Sequence, residues 1–172
     1  MERRLFVLRH AKSSWQDASL ADHDRPLAPR GERDLGRLRR YLSERAAAIE
    51  VVLCSSAVRA TRTLDGVRPA LDHDVAVHIE SQLYGATAGQ WLARLRQLPP
   101  DTAGVLLIGH NPTLETLVRD LTRSGEPSAL DQLARKYPTG ALAELELAVA
   151  WPDVGSADGH LVALTVPRAL PA

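Results

Sequence analysis

Two arginines and two histidines are the residues of this sequence best suited to act on a charged substrate. Arg9 and His10 end the apolar run RLFVL (residues 4–8), Arg59 follows EVVLC (residues 50–54) by five positions, and His110 ends GVLLIG (residues 104–109). A guanidinium donates hydrogen bonds in a fixed fork, and an imidazole titrates near neutrality. The ligand that suits both is an oxyanion such as phosphate. Taken singly, a strand-end histidine is commonly a satisfied structural group, and an arginine in a first helical turn commonly faces water. Three strand ends from distant parts of the chain, all supplying cations or imidazoles, make a stronger pattern.

Their convergence depends on the fold. The three runs and VAVHI (residues 75–79) are short, rich in β-branched residues or leucine, and bounded by turn or charged residues, which reads as buried strands. Between them lie helical spacings: Leu35, Leu38 and Leu42; Leu92, Leu95 and Leu98; Leu114, Leu117, Val118 and Leu121. This alternation predicts an α/β fold of three layers, a doubly wound and mostly parallel sheet flanked by helices. Near the C-terminus GALAELELAVAW alternates apolar and polar residues, and GHLVALTV follows a turn-rich segment, which predicts an antiparallel hairpin. No linker or repeat divides the chain, so residues 1–172 read as a single domain.

In open α/β sheets ligands bind beyond the C-terminal ends of the strands. Arg9, His10, Ser55, Ser56, Arg59, His110 and Asn111 all fall there. The helix starts add to the case: Asn111 reads as an N-cap with Pro112 at the first helical position, and Ser55 or Ser56 as the cap of the helix that carries Arg59. Two positive helix ends then face the same edge.

Composition narrows the partners. The 172 residues suffice for one core, and 45% apolar with 24% charged residues is ordinary for a globular domain. The 21 basic residues balance the 21 acidic ones, which predicts no binding to nucleic acid or to a membrane surface. Cys54, the single cysteine, reads as a core residue of its strand and favours a reducing compartment. The basic N-terminus has too short an apolar run for a signal peptide, and no run spans a membrane, so a cytoplasmic protein is expected. His23, His73, His78 and His160 show no metal-ligand spacing, and neither nucleotide-binding glycine pattern occurs; no metal and no cofactor are assigned. Oligomeric state is left open.

LRHAKSSW, DRPLAPRG (residues 24–31), CSSAVRATRT (residues 54–63) and LIGHNPTLE (residues 107–115) together resemble the histidine phosphatase superfamily, also called phosphoglycerate mutase-like, from about residue 3 to about residue 150. RHAKS and the short chain are similar to its SixA-type phosphohistidine phosphatase branch. The resemblance implies that His10 is the nucleophile, that Arg9 and Arg59 bind the phosphoryl oxygens, and that His110 completes the pocket. It implies a metal-independent phosphatase acting on a phosphohistidine or other phosphoramidate, carried by a protein or a small metabolite. Phosphoryl transfer suits such a site because its transition state spreads charge over three oxygens, so catalysis is mostly positioning and electrostatics. A neutral imidazole is a competent nucleophile, and the phosphohistidine it forms is reactive enough for water to hydrolyse.

Two departures from the family pattern stand out. Ser56 occupies a position where many members carry proline. Aligning the family's aromatic-glycine pair on Tyr84 and Gly85 puts Ser81 where a general acid is expected, with Glu80 beside it. Glu80 is then either the acid or an exposed charge. Asp17, Asp22 and Asp24 in the loop after His10 are further candidates, with Asp24 and Arg25 read as fixing that loop. The competing readings are a general phosphomonoesterase and a phosphate-binding regulatory module without turnover; a mutase is disfavoured because the short chain leaves little room for enclosing insertions.

Overall fold

A computed structural model describes residues 2–45 and 48–171. Strands β1 (Arg3–Arg9), β2 (Val51–Ser55), β3 (Ala76–Glu80), β4 (Gly104–Gly109), β5 (Thr122–Gly125), β6 (Leu142–Leu147) and β7 (Gly159–Thr165) form one sheet in the order β3-β2-β4-β1-β6-β7-β5. The half from β3 to β1 is parallel, with β1 and β4 in register from Arg4↔Gly104 to Arg9↔Gly109. β6 runs antiparallel to both β1 and β7, which gives the predicted C-terminal hairpin.

Alternation along the central strands sorts the core into two layers. Phe6, Leu8, Val52, Cys54, Leu106 and Ile108 pack with Leu38 and Leu42 of α1 (Pro29–Ser43) and Leu64 and Val67 of α2 (Val58–Val67). Leu5, Val7, Leu53 and Leu107 face the other way. They pack with Trp91 and Leu95 of α3 (Ala88–Leu95), Leu114, Leu117 and Val118 of α4 (Thr113–Leu121) and Leu133 of α5 (Pro127–Arg135). The result is the three-layer, doubly wound arrangement expected. Among the described residues no helix is long and apolar enough to cross a membrane.

Three features differ from the sequence reading. β3 is an edge strand rather than a buried one: Val77 and Ile79 are 37% and 53% exposed because no strand covers its outer side. β5 and α5 were not foreseen; the polar TRSG segment becomes a strand only by pairing in parallel with β7, across an irregular register. The polar face of β6 is not solvated either. Glu144 is buried under α1, where it accepts a hydrogen bond from the Tyr41 hydroxyl at 2.6 Å.

Candidate active site

The end of β1 is held from several sides. The His10 amide donates to the Gly109 carbonyl at 3.0 Å, which ties the β1 end to the β4 end. The Ala11 amide donates to Thr63 Oγ1 at 3.0 Å, and Thr63 Oγ1 donates in turn to the Arg59 carbonyl at 2.7 Å, so α2 is registered against the loop that follows β1. The Gly140 amide reaches the carbonyls of both Arg9 and His10 at 3.0 Å. It does so with φ 75°, and a Cβ there would lie 2.6 Å from Pro167 Cγ, so both conformation and space call for glycine. Gly31 in the first turn of α1 serves a related need: a Cβ there would collide with the Lys12 carbonyl, which accepts from the Ala28 amide at 2.8 Å.

On this frame Arg9, His10, Lys12, Ser13, Trp15, Asp22, Arg59, His110, Asn111 and Thr139 line one cavity of about 280 Å³. The structure therefore brings together His10, Arg9, Arg59 and His110. The rings of His10 and His110 lie 5.3 Å apart, and Tyr84 stands edge-on to His110 at 5.6 Å.

His10 Nδ1 lies 2.7 Å from the Ala11 carbonyl. A carbonyl only accepts, so Nδ1 carries the proton and Nε2 the lone pair. Burial, aided by the charges of His110, Arg59 and Arg9, pushes the His10 pKa down to about 3 against the opposing pull of the Ala11 carbonyl. Burial and then Arg59 bring His110 down to about 4. Both rings are neutral at pH 7, which leaves the His10 Nε2 lone pair available without prior deprotonation. His110 Nε2 is 2.7 Å from Ser55 Oγ at the end of β2, which fixes the ring.

The two guanidinium groups are aimed differently. Arg9 donates to the Tyr137 carbonyl at 3.0 Å, and its pKa is lowered chiefly by burial. Asn111 Nδ2 donates to that same carbonyl at 2.9 Å, while the Tyr137 hydroxyl donates to the Val7 carbonyl at 2.6 Å. Arg59 donates to the Asp22 carbonyl at 2.6 Å and to its carboxylate at 3.0 Å. The Tyr84 hydroxyl donates to that carboxylate oxygen at 2.7 Å, and this bond, followed by Arg59, holds Asp22 below the usual carboxylate range.

The helix starts differ in detail from expectation. Neither Ser55 nor Ser56 caps α2, whose N-cap is Ala57; Ser55 Oγ accepts from the Ala57 amide at 3.3 Å and holds His110, and Ser56 Oγ is engaged by His23 Nε2 at 2.9 Å. α4 starts one residue later than read, with Pro112 at the N-cap and Asn111 Oδ1 accepting from the Glu115 amide at 3.3 Å.

Glu80 is not among the cavity-lining residues. Its carboxylate grips Arg94 through Nε at 2.9 Å and Nη2 at 2.8 Å, on the edge strand. Asp17 and Asp24 turn to Ser19 and His23, away from the cavity lining, which leaves Asp22 as its carboxylate. Sequence reasoning missed Tyr137, Thr63, Gly140 and Tyr84 as positioning groups. Gly140 carried a signal as a glycine just ahead of a strand, and Tyr84 as the aromatic of the aromatic-glycine pair.

Comparison with known proteins bears on family and fold. The model of the histidine phosphatase superfamily (branch 1) matches residues 5–96. An uncharacterized protein of Mycobacterium tuberculosis (strain H37Rv) is 37% identical over 165 residues, covering 94% of this chain and 100% of that protein. The structure of a candidate phosphohistidine phosphatase SixA from Nakamurella multipartitia superposes with a TM-score of 0.84 at 31% identity, covering 97% of each chain. The protein histidine phosphatase SixA in complex with tungstate has the same fold, with a TM-score of 0.76 at 24% identity over 96% of this chain and 98% of that one. Family, fold and the meeting of the RH, S-x-x-x-R and GH segments at one cavity lead to the same conclusion: the chain belongs to the histidine phosphatase superfamily.

Proposed function

We infer that the protein is a phosphatase that hydrolyses a phosphohistidine or related phosphoramidate through a covalent intermediate on His10. The observation that carries this reading is the His10 ring itself: buried, neutral, with Nδ1 bound to the Ala11 carbonyl and Nε2 free in a cavity shared with Arg9, Arg59 and His110. In the first step Nε2 attacks phosphorus, the bond between phosphorus and the leaving nitrogen breaks, and the departing imidazole takes a proton from solvent. In the second, water attacks the phosphoryl group on His10, releasing inorganic phosphate and regenerating neutral His10. Arg9 and Arg59 hold the equatorial oxygens, and His110, fixed by Ser55, faces the same group. No metal or cofactor takes part in these steps.

The leaving group decides the substrate class. An alkoxide needs a proton donor, worth about 10²- to 10⁴-fold. An imidazole, which titrates near about 6.5, leaves easily. Glu80 is committed to Arg94, and Asp22 is held ionised by Tyr84 and Arg59, so neither is a ready donor at neutral pH. Turnover of phosphohistidine should exceed that of phosphoserine by at least about 10²; comparable rates would move the assignment to a general phosphomonoesterase. Rapid quenching at alkaline pH should trap one phosphoryl group on His10, and a His10→Ala variant with near-normal turnover would sink the mechanism.

A further inference from the structure

The charge of this chain balances overall but is unevenly placed. Arg30, Arg33, Arg37 and Arg40 recur on α1 at intervals of three and four residues, so they share one stripe about 15 Å long. With Arg168 they line a surface depression of about 530 Å³. Its one carboxylate, Asp34, is buried and lies 3.8 Å from both Arg30 and Arg37. Arg33 and Arg168 are exposed, and the described residues offer them no ion pair. Five guanidinium groups thus face one carboxylate.

This track leads to the catalytic cavity. Arg30 and Arg168 also line the next hollow, together with Lys136 and Thr139. Thr139 in turn lines the phosphate cavity, where Lys12 stands exposed at the mouth.

We propose that this basic track is a docking surface for an acidic face of the phosphorylated protein on which the enzyme acts. The proposal rests on the phosphatase reading above. An occupant with its phosphoryl group between Arg9 and Arg59 and its body along α1 has to cover a stripe about 15 Å long in addition to the cavity, which a small metabolite cannot do. Guanidinium forks match carboxylates, and the net neutrality of the whole chain makes the attraction local, a source of partner choice and encounter rate. No aromatic side chain lines the depression to stack a base, which favours a protein over a nucleic acid.

The test compares the wild type with the triple variant Arg33→Glu, Arg40→Glu, Arg168→Glu, which leaves Asp34 its partners and the catalytic cavity untouched. The probes are free phosphohistidine and two labelled helical peptides of about 20 residues bearing one phosphohistidine, one with glutamates along a face and one with glutamines there. The wild type should favour the glutamate peptide in kcat/KM by about tenfold or more at low salt. That preference should vanish in the variant and in about 500 mM salt. Free phosphohistidine should turn over equally in both proteins, which also shows that the variant is folded. Equal treatment of the glutamate peptide by both proteins would overturn the proposal. So would tighter binding of a labelled single-stranded RNA than of that peptide, if the variant lost it. Should no form of phosphohistidine be hydrolysed, the phosphatase reading falls by itself; fluorescence anisotropy of the unphosphorylated peptides still tests the track. There, charge-dependent binding lost in the variant supports docking, and its absence overturns it.

Discussion

Acid should destabilise this protein more than its carboxylates alone would, because His10, which is buried, and His110, which is partly buried, have to stay neutral in the folded chain. Burial holds His10 down at about 3 and His110 at about 4, whereas an unfolded histidine titrates near about 6.5. Between those limits the unfolded chain binds protons that the folded chain refuses. Stability is therefore intact above about pH 6.5 and is lost as pH falls toward the folded values. Each histidine contributes about 1.4 kcal/mol per pH unit, so at pH 5 the pair together costs about 4 kcal/mol. That is a large part of the roughly 5–15 kcal/mol of a typical domain. His10→Asn removes one of the two titrations and should flatten the slope of stability against pH by about 1.4 kcal/mol per unit between about pH 5 and 6. Urea unfolding followed by the fluorescence of Trp91 and Trp151, both fully buried, measures this directly. Parallel slopes for the two proteins would refute the picture of His10 as a neutral, desolvated ring.

Arg59→Ala should lower kcat/KM by about 10² or more, as loss of one donor from an oxyanion site does; a tenfold or smaller loss would remove Arg59 from contact with the phosphoryl group. Gly140→Ala forces a side chain into positive φ and against Pro167, so urea unfolding should show a loss of about 1–2 kcal/mol or more, with kcat falling as the β1 end shifts. Glu80→Gln should leave phosphohistidine turnover within about threefold, while weakening the largely buried ion pair with Arg94 should lower the thermal midpoint by a few degrees. A large loss of turnover without loss of stability would restore Glu80 as the acid.

The parts of the fold that depend on local pattern were legible, and those that depend on partners were not. β1, β2 and β4 have apolar interiors because both faces are covered, and Arg9 and His110, which line the cavity, stand at the end of β1 and just past the end of β4. VAVHI has the same appearance, yet it lies at the sheet edge, because composition does not encode which strand has neighbours on both sides. TRSG has no strand pattern at all and is extended only because β7 supplies its ladder. The cluster of His10, Arg9, Arg59 and His110 was readable because strand ends are marked in sequence and the topology brings them to one edge. The contact between Arg59 and Asp22 was not, since 37 residues separate them and only the fold of the loop after His10 joins them. The arginine stripe was present in the spacing of α1 but masked by a net charge of zero.

The pairing of Arg59 with Asp22 bears on how the site treats phosphate. On the proposed mechanism, a phosphoryl group entering between Arg9 and Arg59 has to share Arg59 with a carboxylate that Tyr84 also holds. Like charges brought that close repel, so a dianionic ligand is favoured only if it gains more from two guanidinium groups and neutral imidazoles than Asp22 gives up. Asp22 is half exposed, whereas Arg9 and His10 are fixed by backbone bonds at the end of β1. The water-facing side of the site is therefore the Asp22 carboxylate, and its buried, backbone-held side is the proposed nucleophile. That division suits the proposed hydrolysis of an activated phosphorus–nitrogen bond, because that reaction would need an accurately held imidazole and two cations more than a proton donor. In that reading Asp22, the carboxylate that lines the cavity, would act through the position of Arg59 rather than as a proton donor.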